Sequence, residues 1–468
     1  MTEFIKKFEI ENFRSFCDKQ ELILGIPDEK KAGSGLTIIV GPNNAGKTSL
    51  VESLLKDSTK TIYDEDRVND KEPSFIFYKE DNTEFNKVNT VQAGSSQLSS
   101  QRANNFQVVP SRRDWSNRAS NPSSEEVTSS RHDVRAGGGI NVANSLADIE
   151  TKPARLKIFN ELLKQIFSNF SKWTISESRN IGKYIAYTTK SGKKHFFDII
   201  GQGISSVFRI LLHLTTDQVN QLLIIDEPEL SLQPEAQRRL FKIIADSAKK
   251  RQIILSTHSP YFVDMAYFEN GATIARINKP NDQNSVIKNL KTYSSYKGLL
   301  GGANWQQPFL IDEVAKDIFF NDYILFVEGQ ENVGLIKKYY KEILQKDIPF
   351  NIFGYGVRGK DNFKFACELA KDLGLEKVCV LIDGSTETES IFKDLKTDYE
   401  DRAPKYKIIR HDKGDIRNKK CNCCVTIDCK NNRSGYFDED GNIILSEKDN
   451  LKKIISDIET YFSNNTTP

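Results

Sequence analysis

Leu36-Thr-Ile-Ile-Val40-Gly41-Pro-Asn-Asn-Ala-Gly46-Lys47-Thr48-Ser-Leu50-Val51 is the stretch that decides the fold. The apolar run 36–40 predicts a strand buried on both faces. The residues after Thr48 predict a helix. Between them, Gly41 to Thr48 fits the phosphate-loop pattern G-x-x-x-x-G-K-[ST]. Its glycines let the backbone wrap around a phosphate so that successive N–H groups point inward. Lys47 places a compact positive charge on the outer phosphates, and Thr48 offers a hydroxyl to Mg²⁺. The start of a helix adds favourable partial charge. Gly41, Asn43, Asn44, Ala45, Gly46, Lys47, Thr48 and Ser49 are therefore the expected ATP-binding residues of an α/β fold.

Two further segments belong with this loop. Leu222-Leu-Ile-Ile-Asp226-Glu227-Pro228 reads as an apolar strand ending in two carboxylates. In a parallel sheet the carboxyl ends of the strands line the ligand crevice. Asp226 can then hold the Mg²⁺ shell, and Glu227 can orient or deprotonate the attacking water. One helix and one strand later, Leu255-Ser-Thr-His258-Ser-Pro260 sets a histidine at the next strand end. A neutral imidazole there could hydrogen-bond the γ-phosphate or the water. Each segment alone would pass for an acidic turn or a satisfied core histidine; their order after the phosphate loop favours the catalytic reading.

That order resembles the ABC-type ATPases of the SMC and RecF group, over about residues 1–275. Ile10-Glu-Asn-Phe13-Arg-Ser-Phe16 is similar to the opening strand of that group. The resemblance implies that two heads sandwich ATP, with a signature loop of one head completing the other's site. The matching position is Ile200-Gly201-Gln202-Gly203-Ile204-Ser205-Ser206, which departs from the usual Ser-Gly-Gly core. Gly203 and Ser205, at the start of a helix, would suit an anion. A homodimer or higher homo-oligomer is the expected assembly.

Composition sets the frame. The 468 residues carry 66 Lys+Arg against 64 Asp+Glu, a net charge of +2, which excludes a uniformly basic nucleic-acid coat but not a local basic patch. No apolar run is long enough to span a membrane, so no membrane partner is expected. The charged, alternating N-terminus does not read as a signal peptide. With seven cysteines, an odd number, a reduced cytoplasmic protein is expected. Residues 57–150 are rich in Ser, Asn, Asp and Arg and read as a polar insertion, either with small strands or partly flexible. Helical spacing returns over 153–171, followed by a hairpin from Tyr184 to Ile199. Val207–Leu214 and Ser231–Lys250 read as helices, and Ile253–Leu255 as a strand. A boundary falls in the Gly-, Ser- and Asn-rich stretch 290–310, dividing the chain into 1–300 and 301–468. Beyond it, strands at 324–327, 350–353 and 378–382 alternate with helices at 333–343 and 363–373, so parallel sheets are expected in both halves.

Ile324-Leu-Phe-Val-Glu328-Gly329 and Val380-Leu-Ile-Asp383-Gly384-Ser385 are two buried strands with acidic ends. Two such ends in one parallel sheet can hold a divalent metal for phosphodiester chemistry, and hard oxygen ligands favour Mg²⁺ or Mn²⁺. Lys360 lies in the Gly-rich loop between them. This pattern resembles a Toprim domain. An ABC-type ATPase head followed by a Toprim-like parallel-sheet domain resembles the OLD (overcoming lysogenization defect) family, which implies ATP-linked DNA cleavage in anti-phage defence. Toprim domains carry acids where Asn332 and Ser385 stand here; Glu331, Glu387 or Glu389 are the nearby substitutes. The alternative is a Toprim-like scaffold without catalysis, in which the ATPase is a sensor that holds or releases a separate effector or regulatory protein.

From Arg402 to Lys420 there are eight Lys and Arg, including Arg402, Lys413 and Arg417. Beside a metal site they predict salt-sensitive, sequence-independent contact with the DNA backbone. Cys421, Cys424 and Cys429 then cluster, with the C-x-x-C spacing of zinc ligands; zinc and free thiols are the two readings.

Overall fold

The computed structural model describes residues 4–54, 66–69, 71–79, 84–89, 106–111, 146, 148–178, 182–196, 202–216, 222–280, 284–299, 313–403, 405–419 and 433–463. The chain divides into two compact units, Met1–Asn289 and Leu290–Pro468.

The first unit contains, in order, β1 (Ile5–Glu11), β2 (Gln20–Ile23), β3 (Leu36–Val40), α1 (Lys47–Leu54), β4 (Ser74–Lys79), β5 (Glu84–Asn89), β6 (Phe106–Val109), α2 (Pro153–Ile166), β7 (Phe170–Ser178), β8 (Gly182–Thr189) and β9 (Lys194–Phe196). It continues with α3 (Gln202–Leu214), β10 (Leu222–Asp226), α4 (Pro234–Ser247), β11 (Ile253–Ser256), α5 (Met265–Glu269), β12 (Thr273–Asn278) and β13 (Val286–Asn289). The main sheet runs β13-β12-β3-β11-β10-β6, parallel except for β13 at its edge. Every residue of β3, β10 and β11 is buried, as their unbroken apolar runs require. The register pairs Ile39 with Ser256 and Asp226 with Ser256, so these strands finish at one edge.

A second sheet, β2-β1-β4-β5, is antiparallel. Its Phe8, Ile10, Phe75 and Phe77 share one core with Leu50, Val51 and Leu54 of α1 and with Ile39, Ile224 and Ile254 of the main sheet. A third, β7-β8-β9, is antiparallel too. The expected parallel sheet is thus joined in this unit by two antiparallel ones, the second of which contains the expected hairpin as β8 and β9. The helix expected over 153–171 ends at Ile166, because Phe167 is already extended and Phe170 opens β7. Trp173 of β7 then packs edge-on against Phe159 and Phe208 and donates its indole N–H to Asn160 at 2.7 Å. The helix expected from Ser231 begins at Pro234. Ser231 sits at a left-handed φ of 59°, and Pro234 is preset for a first helical turn.

The second unit contains β14 (Tyr323–Val327), α6 (Gln330–Lys338), β15 (Asn351–Ile352), α7 (Phe363–Asp372), β16 (Lys377–Ile382), α8 (Glu389–Leu395), β17 (Tyr406–Arg410) and α9 (Lys448–Ser463). Its sheet, β15-β14-β16-β17, is parallel throughout. Leu451, Ile455, Ile458 and Phe462 of α9 join Leu325, Val327, Cys379 and Leu381 in its core. Residues 290–299 belong to this unit, ahead of the boundary expected at 300. Tyr296 donates to Asp372 at 2.7 Å and stacks edge-on against Phe365.

Gln252 ties the two larger sheets of the first unit together. Its buried amide donates to Ile5 O at 2.6 Å and Gly25 O at 2.9 Å and accepts from Ile5 N–H at 2.8 Å. Gln252→Ala leaves these buried backbone groups unpaired and is expected to cost about 2–4 kcal/mol. Chemical denaturation followed by a probe in the first unit checks this; an unchanged midpoint contradicts it.

Candidate functional site

Three sequence-distant turns meet at the carboxyl edge of the main sheet. The first is the phosphate loop after β3. Gly41 has φ 141°, and a Cβ there would fall 2.1 Å from Ile277 O, so no side chain fits. Gly46 has φ 107° and faces the Ser285 hydroxyl, while Asn44 takes the left-handed conformation at φ 61°. Lys47 is buried and donates to Gly41 O at 2.8 Å and Pro42 O at 2.7 Å, closing the loop on itself. Burial pushes its pKa down to about 8, against the pull of Glu227, Glu229 and Asp226. Thr48 and Ser49 are half-buried, Ala45 is buried, and Asn43 and Asn44 are exposed.

The second turn follows β10. Asp226 is buried and accepts from the Ser256 hydroxyl, which holds its carboxylate at the strand end. Glu227 turns the chain at a left-handed φ of 48° while its N–H donates to Ser256 O at 3.0 Å. The third turn follows β11. His258 Nε2 lies 3.5 Å from Glu227 Oε1. Burial, helped by the Lys47 charge, pushes the His258 pKa down to about 4, so the imidazole is neutral at pH 7. Asp226, Glu227, His258 and the phosphate loop thus stand together as their spacing predicts.

Ser256 and Glu229 are site residues that the sequence reading missed. Glu229 accepts the His258 backbone N–H at 2.6 Å. A serine before a Thr-His pair and a third acid after Asp-Glu-Pro were the available signals, but such residues usually face solvent. Gly203 and Ser205 are buried. A Cβ on Gly203 would fall 2.3 Å from Ser231 O, so this glycine serves close packing within its own unit.

In the second unit, Glu328 follows β14, Asp383 follows β16 and His411 follows β17, again at one sheet edge. Asp383 Oδ1 is 2.9 Å from His411 Nε2 and accepts from Asn332 Nδ2 at 3.2 Å. Burial pushes the Glu328 pKa up to about 7, and the negative charges of Asp383 and Asp415 add to the shift. Asp415 and the His411 contact were not anticipated. The candidate substitute acids are committed elsewhere: Glu331 to Arg417 and Lys419, Glu387 to Lys360, and Glu389 to Lys393. The basic run is paired as well, with Arg402 on Asp398 and Lys413 on Glu447. Cys421, Cys424 and Cys429 lie outside the described residues. Among the described residues, no group of three His, Cys, Asp or Glu side chains is assembled to hold a metal ion.

Comparison with known proteins agrees with this division. Residues 36–264 match a family described as an AAA domain, putative AbiEii toxin, type IV TA system. Residues 319–384 match the TOPRIM domain of overcoming lysogenization defect protein-like proteins. An OLD nuclease from Thermus scotoductus is 33% identical over 141 residues, covering 28% of this chain and 25% of that protein. The match therefore spans a quarter of the length of that relative. Similar solved structures include an SmcHead bound to the C-winged helix domain of ScpA, at 14% identity and a TM-score of 0.39, covering 63% of this chain and 99% of that one. Another is the SMC head domain from Thermotoga maritima, at 13% identity and 0.32, covering 61% and 99%. Among the described residues, no helix is long and apolar enough to cross a membrane.

The environment of His258 makes a prediction about pH. In the unfolded chain its imidazole takes up a proton near 6.5, whereas in the folded chain it does so only near 4. Between these values the unfolded state binds more protons, so lowering the pH favours unfolding through this group. In an NMR titration of the folded protein, the His258 imidazole should stay neutral from pH about 8 to about 5.5; a midpoint near the ordinary value contradicts its burial.

Proposed function

We propose that the chain is an OLD-like ATPase with a C-terminal Toprim domain, in which ATP binding and hydrolysis in the first unit control metal-dependent DNA cleavage by the second. The observation that carries this reading is the meeting of Lys47, Asp226, Glu227 and His258 at one sheet edge. The loop amides and Lys47 cradle the outer phosphates, and Thr48 and Asp226 would hold Mg²⁺. Glu227, with neutral His258 beside it, orients or deprotonates the water that displaces ADP from the γ-phosphate. The resemblance to paired heads supports a homodimer or larger homo-oligomer. Because ATP binds the paired state better, it shifts the population toward that state.

For cleavage, Glu328 and Asp383 would hold Mg²⁺ or Mn²⁺. Burial, together with repulsion from Asp383, raises the Glu328 pKa and supports a cation between them. Mg²⁺ commonly takes one or two carboxylates and completes its shell with water and substrate phosphate, so two acids fit it. The ion would supply positive charge to the scissile phosphodiester. The two matching families, one described as an AAA domain and putative AbiEii toxin of a type IV TA system and the other as an overcoming lysogenization defect protein-like TOPRIM domain, support an anti-phage defence role.

A second reading has its own observation. Asp383 is already engaged by His411 and Asn332, and the nearby spare acids are in ion pairs. In that reading the second unit is a scaffold, and the ATPase holds or releases a separate effector.

Purified protein with plasmid DNA, ATP and Mg²⁺ or Mn²⁺ separates the two. Cutting that Glu328→Ala abolishes supports the first reading; no cutting by clean protein supports the scaffold. Lys47→Ala should lose nucleotide binding or turnover. Glu227→Gln should keep ATP bound and slow hydrolysis by about 100-fold or more. Full turnover by the Glu227→Gln protein would remove its assigned role.

A further inference from the structure

The turn after β10 carries a third acid whose contacts the ATPase reading leaves unexplained. Glu229 is half-buried as a residue, yet its carboxyl end is out of water. Oε1 accepts the His258 backbone N–H at 2.6 Å. Oε2 is buried and has no hydrogen-bond partner among the described residues. Burial pushes the carboxyl up to about 7, with the nearby Glu227 charge adding to the effect. A buried carboxyl held chiefly by one close backbone hydrogen bond, with weaker contacts to the Thr257 side chain and its own backbone N–H, does not improve stability over an apolar side chain of the same size. Its placement therefore calls for a role beyond packing.

The geometry around it supplies one. The turn that holds Glu229 is rigid: Glu227 and Ser231 both sit at left-handed φ, and Leu232 N–H donates to Glu229 O at 3.0 Å. The opposite turn is anchored on its other side, where Thr257 N–H donates to Ile39 O at 3.0 Å. His258 comes next in the chain. Its backbone is held by Glu229, and its imidazole reaches back to within 3.5 Å of Glu227. Glu227, His258 and Glu229 thus form a closed circuit between two strand ends, with one link through the imidazole and one through the backbone amide.

We propose that Glu229 is a positioning residue for ATP hydrolysis: by accepting the His258 backbone N–H, it fixes the imidazole against Glu227 at the γ-phosphate end of the site. The proposal rests on the ATPase reading of this edge. In this role Glu229 acts through His258. Removing its acceptor frees the turn after β11, and the imidazole drifts from the water it helps to orient. ATP binding, which depends on the phosphate loop, is left in place.

The test is a double-mutant cycle on steady-state ATP hydrolysis, using Glu229→Ala, His258→Ala and the double variant of the full chain. Glu229→Ala should lower kcat by about 10- to 100-fold while KM for ATP stays within about threefold. Glu229→Gln keeps the carbonyl acceptor and should restore kcat to within about threefold of the native value. In the His258→Ala background, Glu229→Ala should cost nothing further beyond about twofold, because the two act as one unit. Native kcat in Glu229→Ala, equal loss in Glu229→Gln and Glu229→Ala, or fully additive losses in the double variant would each overturn the proposal. Should Glu229→Ala fail to fold, Glu229→Met fills the same space without an acceptor and takes its place in the cycle. Turnover by the native chain, lost in Lys47→Ala, reports on the ATPase reading separately. The His258 imidazole resonance reports on positioning without turnover: it should move in Glu229→Ala and keep its native shift in Glu229→Gln. An unmoved resonance in Glu229→Ala counts against the proposal even if the chain hydrolyses ATP.

Discussion

Strand β11 lies between β3 and β10, and the placement of the whole nucleotide site follows from that neighbourhood. The parallel register brings Ile39, Asp226 and Ser256 level, so the turns that follow them open on one edge. No single hydrogen bond creates the site. The burial of three apolar strands on both faces fixes their order, and the polar residues at their ends inherit a common location. Ser256 converts that location into geometry by binding the Asp226 carboxylate and, through its backbone, the Glu227 amide. A slip of the register by one residue would turn Asp226 to the other face and leave Lys47 without its acidic neighbours.

Much of this was legible in the sequence. The runs at 36–40, 222–226 and 253–256 are too apolar to be anything but buried strands. The phosphate loop states its own chemistry, because Gly41 and Gly46 occupy conformations or spaces that a side chain would not fit. What stayed hidden depends on contacts between distant residues. Nothing local marks Glu229 as the acceptor for His258, or Gln252 as the tie between two sheets. The hairpin of β8 and β9 was legible, but β7 beside it was missed for a related reason. Phe170 and Trp173 continue the helical spacing of Phe159 and Ile166, but the segment pairs with β8 as a strand, with Phe170 stacked on Tyr187 of β8 and Trp173 packed on Phe159 and Phe208.

The second unit shows how a similar sheet edge can carry a different balance of charge. Glu328 and Asp383 stand at neighbouring strand ends, as their motifs predict. The sequence offered nearby glutamates as substitutes for Asn332 and Ser385, with a non-catalytic scaffold as the alternative. Instead those glutamates neutralise lysines and arginines, while His411 and Asn332 bind Asp383 directly. Asp415, thirty-two residues beyond Asp383 in the chain, joins Asp383 in adding to the pressure on Glu328. Charge count alone does not describe such a site; the partner of each carboxylate decides how much of its charge remains for a ligand.

The central claim is that a triphosphate and its magnesium are gripped between the phosphate loop and the end of β10. Calorimetric titration of ATP with and without Mg²⁺, into the native chain and into Asp226→Asn, tests it most directly. The account predicts that Mg²⁺ strengthens ATP binding by the native chain and that this strengthening disappears in the variant. An equal gain from Mg²⁺ in both proteins would contradict it.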